Sequence, residues 1–190
     1  MTQTRERIVH ASAELFRRQG YTGTGVKQIV AEASAPFGSL YHFFPGGKEQ
    51  LGAEVIRWSG AQYGRLVDEV FAGAPDVVTG VRAAFASAAE VLADTGYTDA
   101  CPIATVALEV ASTNEQLRIA TAEVFTSWLE AIARYFVAAG IEPDRADELA
   151  VVLFTALEGA FILCRATRRP EPLLISGAAV AEAVAAALPA

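Results

Sequence analysis

The sequence predicts an all-α protein of about nine helices. Three observations carry that expectation. Alanine supplies 38 of the 190 residues, and it is the strongest helix former. Apolar residues recur at i, i+3, i+4 and i+7 through most of the chain, and no stretch keeps the alternation of a strand. The breaks between periodic stretches hold glycine or proline, as helix ends do. Hydrophobic residues make up 53% of the chain and charged residues 19%, which excludes disorder. A chain of this length buries a core without disulfide or metal staples.

The elements follow in order. Residues 4–19 set Ile8, Val9, Ala11, Leu15 and Phe16 near one face, and Gly20 follows as the stop. Residues 26–33 carry Val26, Ile29, Val30 and Ala33 at helical spacing, with Thr24 as the expected N-cap. Ser34-Ala35-Pro36 breaks that helix, and a third runs over 36–43 until Pro45-Gly46-Gly47. A long helix is expected over 48–71 and another, opened by Pro75, over 75–94. After a loop at 95–100, Pro102 opens a helix over 102–111. Thr113 with Gln116 fits a capping box for a helix over 113–138, closed by Gly140. Pro143 opens a helix over 143–166. Arg168, Arg169, Pro170 and Pro172 read as a break before a last helix over 175–188.

Charge divides the chain into two parts. Residues 1–50 hold six basic and four acidic residues, a net +2 within a chain of net charge −7; residues 51–190 hold nine basic and eighteen acidic, a net −9. A mildly basic head on an acidic body suggests two tasks. The domain boundary is expected after residue 47, giving a head at 1–47 and a body at 48–190.

Within the head, two short helices joined by about three residues have the spacing of a helix-turn-helix, whose second helix enters the major groove. The first helix would brace the pair through Leu15 and Phe16, and Leu40 would face Val26 and Ile29. The third helix would then present Pro36, Phe37, Ser39, Tyr41 and His42. A plain three-helix bundle has the same generic pattern. The residues sharpen the choice. Val26 to Ala33 (VKQIVAEA), followed by Phe37 to Phe44 (FGSLYHFF) and a lysine at the start of the next helix, closely resembles the DNA-binding domain of the tetracycline-repressor family. Two further runs, Phe44 to Leu51 (FPGGKEQL) and Cys101 to Glu109 (CPIATVALE), resemble its LmrA/YxaF-like subgroup.

The resemblance implies an all-helical, homodimeric, ligand-responsive regulator that binds a double-stranded operator. Thr24 and Lys27 would meet phosphates, Tyr41 would set its hydroxyl on a phosphate with His42 beside it, and Lys48 would reach the backbone of the neighbouring strand. Base reading would fall to the start of the third helix. There Pro36 and Phe37 stand where many relatives carry serine and lysine. Phe37 cannot donate a hydrogen bond, so it either touches a thymine methyl or packs inward. Repression is the family's habit; a cytoplasmic location is expected from a polar start and the lack of a membrane-spanning apolar run.

The body carries more apolar residues than one buried stripe needs. The breadth of the seventh and eighth helices is consistent with a second subunit on one side or with a thick core in a single chain, and the resemblance places a homodimer seam on the last two helices. It also implies an effector pocket, with Trp58, Phe85, Val106, Phe125, Trp128, Phe154 and Phe161 as candidate walls. Glu109 and Glu158 stand alone in apolar sequence. Each would be a ligand's hydrogen-bond partner or half of a structural pair with Arg118, Arg134 or Arg165. Mostly aromatic walls with few charges suit a small apolar or aromatic effector.

Other classes fit less well. The two histidines, His10 and His42, lack the Glu-x-x-His spacing of a di-iron bundle and form no serine-acid triad, so no enzyme, metal or cofactor is expected. Cys101 and Cys164 have no CxxC spacing; Cys101, at a helix start, admits a redox-sensing reading, and Cys164 that of a small core residue. No uninterrupted apolar run reaches membrane-spanning length, and residues 1–7 do not read as a signal peptide. A helical adaptor, or a small-molecule-binding module without DNA, is the alternative; neither needs Lys27, Tyr41, His42 and Lys48 in this arrangement.

Overall fold

The computed structural model describes residues 3–98 and 101–189. Among them it forms nine α-helices and no strand: α1 Gln3–Gln19, α2 Val26–Glu32, α3 Phe37–Phe43, α4 Gly47–Ala72, α5 Val77–Asp94, α6 Pro102–Val110, α7 Glu115–Ala138, α8 Pro143–Thr167 and α9 Glu171–Ala187. The end of the expected 95–100 loop lies outside the described residues. The chain forms two compact units. The first comprises residues 1–62 and 101–124, the second residues 63–100 and 125–190. The start of α4, all of α6 and the start of α7 therefore share one compact unit with the first three helices.

In the first unit α1 lies against α2, α3 and α6. Ile8, Leu15, Phe16, Ile29, Leu40, Phe44, Leu51, Ile56, Ile103 and Leu117 are buried. Gly20 closes α1 at φ +76°, a left-handed position that glycine enters without a Cβ clash. Gly25, not Thr24, is the N-cap of α2, and it gives no side-chain cap. Arg7 supplies support from elsewhere: its Nε donates to the Ala33 carbonyl at 3.0 Å, and its Nη2 to that of Ser34 at 3.4 Å. A cation on the last carbonyls of a helix suits the negative end of its dipole.

In the second unit α5 and α8 both pack on α9. Phe85, Leu92, Phe136, Leu149, Ala150, Leu153, Cys164, Leu173, Ala181 and Val184 share one buried cluster. Gly177 makes the close approach of α9 possible, since a Cβ there would lie 2.6 Å from the Phe85 Cβ.

Several helix starts differ from expectation, two of them because a cap needs an oxygen aimed at a free N–H. Asp76, not Pro75, caps α5, accepting from Thr79 N–H at 2.8 Å. Asn114 takes the place of the expected Thr113–Gln116 box, accepting from Leu117 N–H at 2.9 Å. α9 begins at Glu171, because Pro170 and Pro172 sit where a missing N–H costs nothing. One helix, Pro143–Thr167, is long and apolar enough by length and composition to cross a membrane, contrary to expectation. Its Thr155, Glu158 and Gly159 interrupt the apolar run without breaking the helix.

Candidate DNA interface and effector residues

α3 is short, so its few exposed side chains define its outer face. Pro36 stands just before it, extended at ψ 143°. Phe37 is 50% exposed and Tyr41 49%, and their ring centroids lie 6.0 Å apart. The inward reading of Phe37 is therefore excluded. His42 is exposed with its ring 4.8 Å from that of Phe43, and Ser39 is half-buried. Leu40, fully buried, fixes the helix to the head. The outer face thus offers an apolar ring, a phenol, an imidazole and a hydroxyl, with no guanidinium or ammonium on α3 itself. Lys27 of α2 is exposed.

Thr24 is a correction. It is 1% exposed, and its hydroxyl donates to the Gly20 carbonyl at 2.7 Å. It secures the α1–α2 turn and presents nothing to a phosphate. Gln19 and Gln28, which sequence reasoning passed over, bond to each other beside it at 2.7 Å.

Lys48, in the first turn of α4, sets its ammonium 4.1 Å from the centroid of the Tyr21 ring. Burial lowers its pKa, and the Glu109 carboxylate opposes that shift. The Tyr21 phenol is pushed up, by burial first and by Glu49 second. Arg5 is engaged by the Glu54 carboxylate and lies over the Phe44 ring at 5.0 Å.

The candidate effector residues separate into groups. Phe125, Trp128 and Phe154 come together in the second unit, with centroids 6.1, 5.4 and 5.8 Å apart pairwise. Phe161 and Glu158, on the same α8 as Phe154, are half-buried. Phe85 is not an open wall: it is locked in the core beneath α9. Val106 is likewise buried, in the first unit. Trp58, in the first unit, packs against His10 of α1 at 4.6 Å. Glu109 is exposed and, among the described residues, pairs with no arginine; its carboxylate accepts from the Thr22 N–H at 2.9 Å. Of the arginines expected to pair with it, Arg118 is held by Glu115. Cys101 caps α6 through its sulfur, accepting from Ala104 N–H at 3.4 Å, and Cys164 is a core residue as expected.

The second unit also exposes apolar side chains on its last two helices, beside others on α4, α5 and α7. On α8 these are Val151, Val152, Ile162 and Leu163; on α9 they are Leu174 and Ile175. Thr155 and Gly159 are exposed on α8 as well, and a Cβ on Gly159 would meet nothing within 4 Å.

Comparison with known proteins agrees with this arrangement. Residues 8–55 match the model of the tetR family of bacterial regulatory proteins. Residues 77–179 match that of the C-terminal domain of LmrA/YxaF-like transcriptional regulators. YxaF of Bacillus subtilis strain 168, described as an uncharacterised HTH-type transcriptional regulator, is 34% identical over 172 residues, covering 90% of either chain. LmrA of the same organism, an HTH-type transcriptional regulator, is 32% identical, covering 90% of this chain and 91% of its own. A solved TetR regulatory protein from Rhodobacter sphaeroides superposes with a TM-score of 0.82 at 25% identity, over 95% of this chain and 98% of that one. A TetR regulator from Chloroflexus aurantiacus J-10-FL gives 0.82 at 28% identity, over 97% and 96%. Members of this family regulate transcription and are not enzymes. The chain belongs to the TetR family, in its LmrA/YxaF-like branch, and is a transcriptional regulator with a DNA-binding helix-turn-helix head.

Proposed function

We propose that the chain is a repressor that binds a palindromic operator as a homodimer and is released by a small apolar or aromatic effector. The observation that carries it is the exposed Phe37–Tyr41 face on a helix anchored by buried Leu40. Large aromatic side chains rarely stand half in water without a partner. In this reading Phe37 touches thymine methyls and Pro36 shapes the approach. Ser39, Tyr41 and His42 supply polar contacts, and Lys27 and Lys48 meet phosphates. The head at 1–47 does the reading and the remainder responds.

The exposed apolar residues of α8 and α9 support a seam with a second copy through those two helices. Phe125, Trp128 and Phe154, with Phe161 and Glu158 nearby on α8, are the best-supported effector contacts. Two relatives at 26% identity bear the name of repressors: DhaR of Mycobacterium sp. strain GP1 and NemR of Escherichia coli K12. This reading carries a cytoplasmic location with it.

The test is a gel shift of the full chain against the DNA upstream of its own gene. A discrete complex that Lys48→Ala weakens supports the reading. A complex with neither discrete mobility nor salt dependence favours an adaptor. Trp128 then reports on the effector: in a Trp58→Phe background, compounds that change its fluorescence should dissociate the complex at the same concentrations.

A further inference from the structure

The link between α2 and α3 folds back in a way that ordinarily calls for glycine. The Ser34 N–H donates to the Ala31 carbonyl at 3.0 Å, and the Ala35 N–H to that of Val30 at 2.9 Å. This pair of bonds closes a helix around a left-handed residue, here Ser34 at φ +48°. Serine carries a Cβ, so that conformation is less favourable for it than for glycine. Ala35 has little room to adjust, because Pro36 follows it and disfavours a helical backbone there.

Arg7 meets this link from α1. Its Nε donates to the Ala33 carbonyl at 3.0 Å, and its Nη2 reaches the Ser34 carbonyl at 3.4 Å. Those two carbonyls belong to the peptide planes on either side of the Ser34 Cα. Each plane is rigid, so the angle between them is the φ and ψ of Ser34. A planar guanidinium bonded to both therefore restrains that one conformation.

We propose that Arg7 holds Ser34 in its left-handed conformation and so fixes the angle of α3 against α2, which sets how well the chain tells one DNA sequence from another. This rests on the reading of α3 as the base-reading helix. Once Lys27 of α2 sits on a phosphate, the angle at Ser34 decides whether Phe37 and Tyr41 reach the base edges. Arg7 is thereby a positioning residue: it acts through the link and touches no base.

The test uses the full chain and two probes: the duplex that the wild-type chain enriches from a randomised pool, and a mixed-sequence duplex of equal length. Arg7 is exposed, so Arg7→Met should keep the fold, with helix content checked by circular dichroism. Arg7→Met should lower affinity for the enriched duplex by about fivefold, the worth of one charge-assisted hydrogen bond. Affinity for the mixed duplex and the salt slope should both hold. Adding Ser34→Gly to Arg7→Met should restore most of the preference, since glycine enters the left-handed region without a Cβ clash. Equal losses on both duplexes, with the salt slope lower by about one per protomer, would assign Arg7 to a phosphate and overturn the proposal. A double variant as indiscriminate as Arg7→Met overturns it too. The two readings fail separately. If the wild-type chain binds both duplexes alike, the base-reading role of α3 fails and the proposal with it. If the wild-type chain prefers one duplex and Arg7→Met keeps that preference, only the role of Arg7 fails.

Discussion

Two of the faces that expose apolar side chains, one on α3 and one on α8 and α9, differ in what surrounds them. On α3, Phe37 and Tyr41 are joined by His42, with Lys27 on the neighbouring helix. On α8 and α9 the exposed residues are aliphatic, at Val151, Val152, Ile162, Leu163, Leu174 and Ile175, and span two helices. A small aromatic and polar face suits the edges of bases and their phosphates. A broad aliphatic face suits another aliphatic face. The same exposure thus points to a polyanion in one place and to a second copy in the other, and chemistry rather than hydropathy decides between them.

The largest expected effect breaks the aliphatic face. Ile162 is 61% exposed, so Ile162→Asp should leave the fold intact. It should give a monomer by sedimentation and lower operator affinity by roughly a hundredfold, since two linked half-site contacts become one. A dimeric Ile162→Asp protein would put the seam elsewhere. Next is Lys48→Ala. Operator affinity should fall by about tenfold, with the salt slope reduced by about one per protomer and no change in preferred sequence. A changed preference would mean that Lys48 reads bases.

Phe37 sharpens the other side. Replacing operator thymine by deoxyuridine removes only the methyl group. The wild-type chain should lose about fourfold in affinity for each contacted methyl, the worth of one buried methylene-sized group. Phe37→Ala should show no such loss. Equal sensitivity in both proteins would assign the methyl contact to another residue.

The smallest effect is structural. Asp76 receives the Thr79 N–H and hydroxyl, and these bonds hold its carboxyl below the usual aspartate range. A depressed folded pKa stabilises above the unfolded value, about 3.9, and that contribution fades as pH falls through the folded one. Asp76→Ala should therefore melt a few degrees lower at neutral pH. The difference should shrink on acidification below pH ~4. A pH-independent difference would mean that the cap acts through packing alone.

How much of this was legible in the sequence follows from the range of each interaction. The helices were readable because a 3.6-residue period is a local property, and the head was readable because its motif is contiguous. Helix starts were misplaced at Thr24, Pro75 and Thr113, since each start depends on where one capping oxygen points. Proline at 170 and 172 read as a break although both positions tolerate it. The aromatic trio was recognisable by type, while Phe85, which the resemblance set among the same pocket walls, is taken up by the core. Arg7 on Ala33 and Glu109 on Thr22 carried no sequence signal. A charged residue does not announce which distant carbonyl or amide it will meet.

The central claim is that α3 reads a defined, two-fold symmetric sequence. Selection from a pool of randomised duplexes with the full-length chain, followed by sequencing of the bound fraction, tests it most directly. The account predicts an enriched inverted repeat whose half-sites lie about one helical turn or a multiple apart, with thymine at the positions nearest Phe37. A bound fraction as random as the starting pool would contradict it.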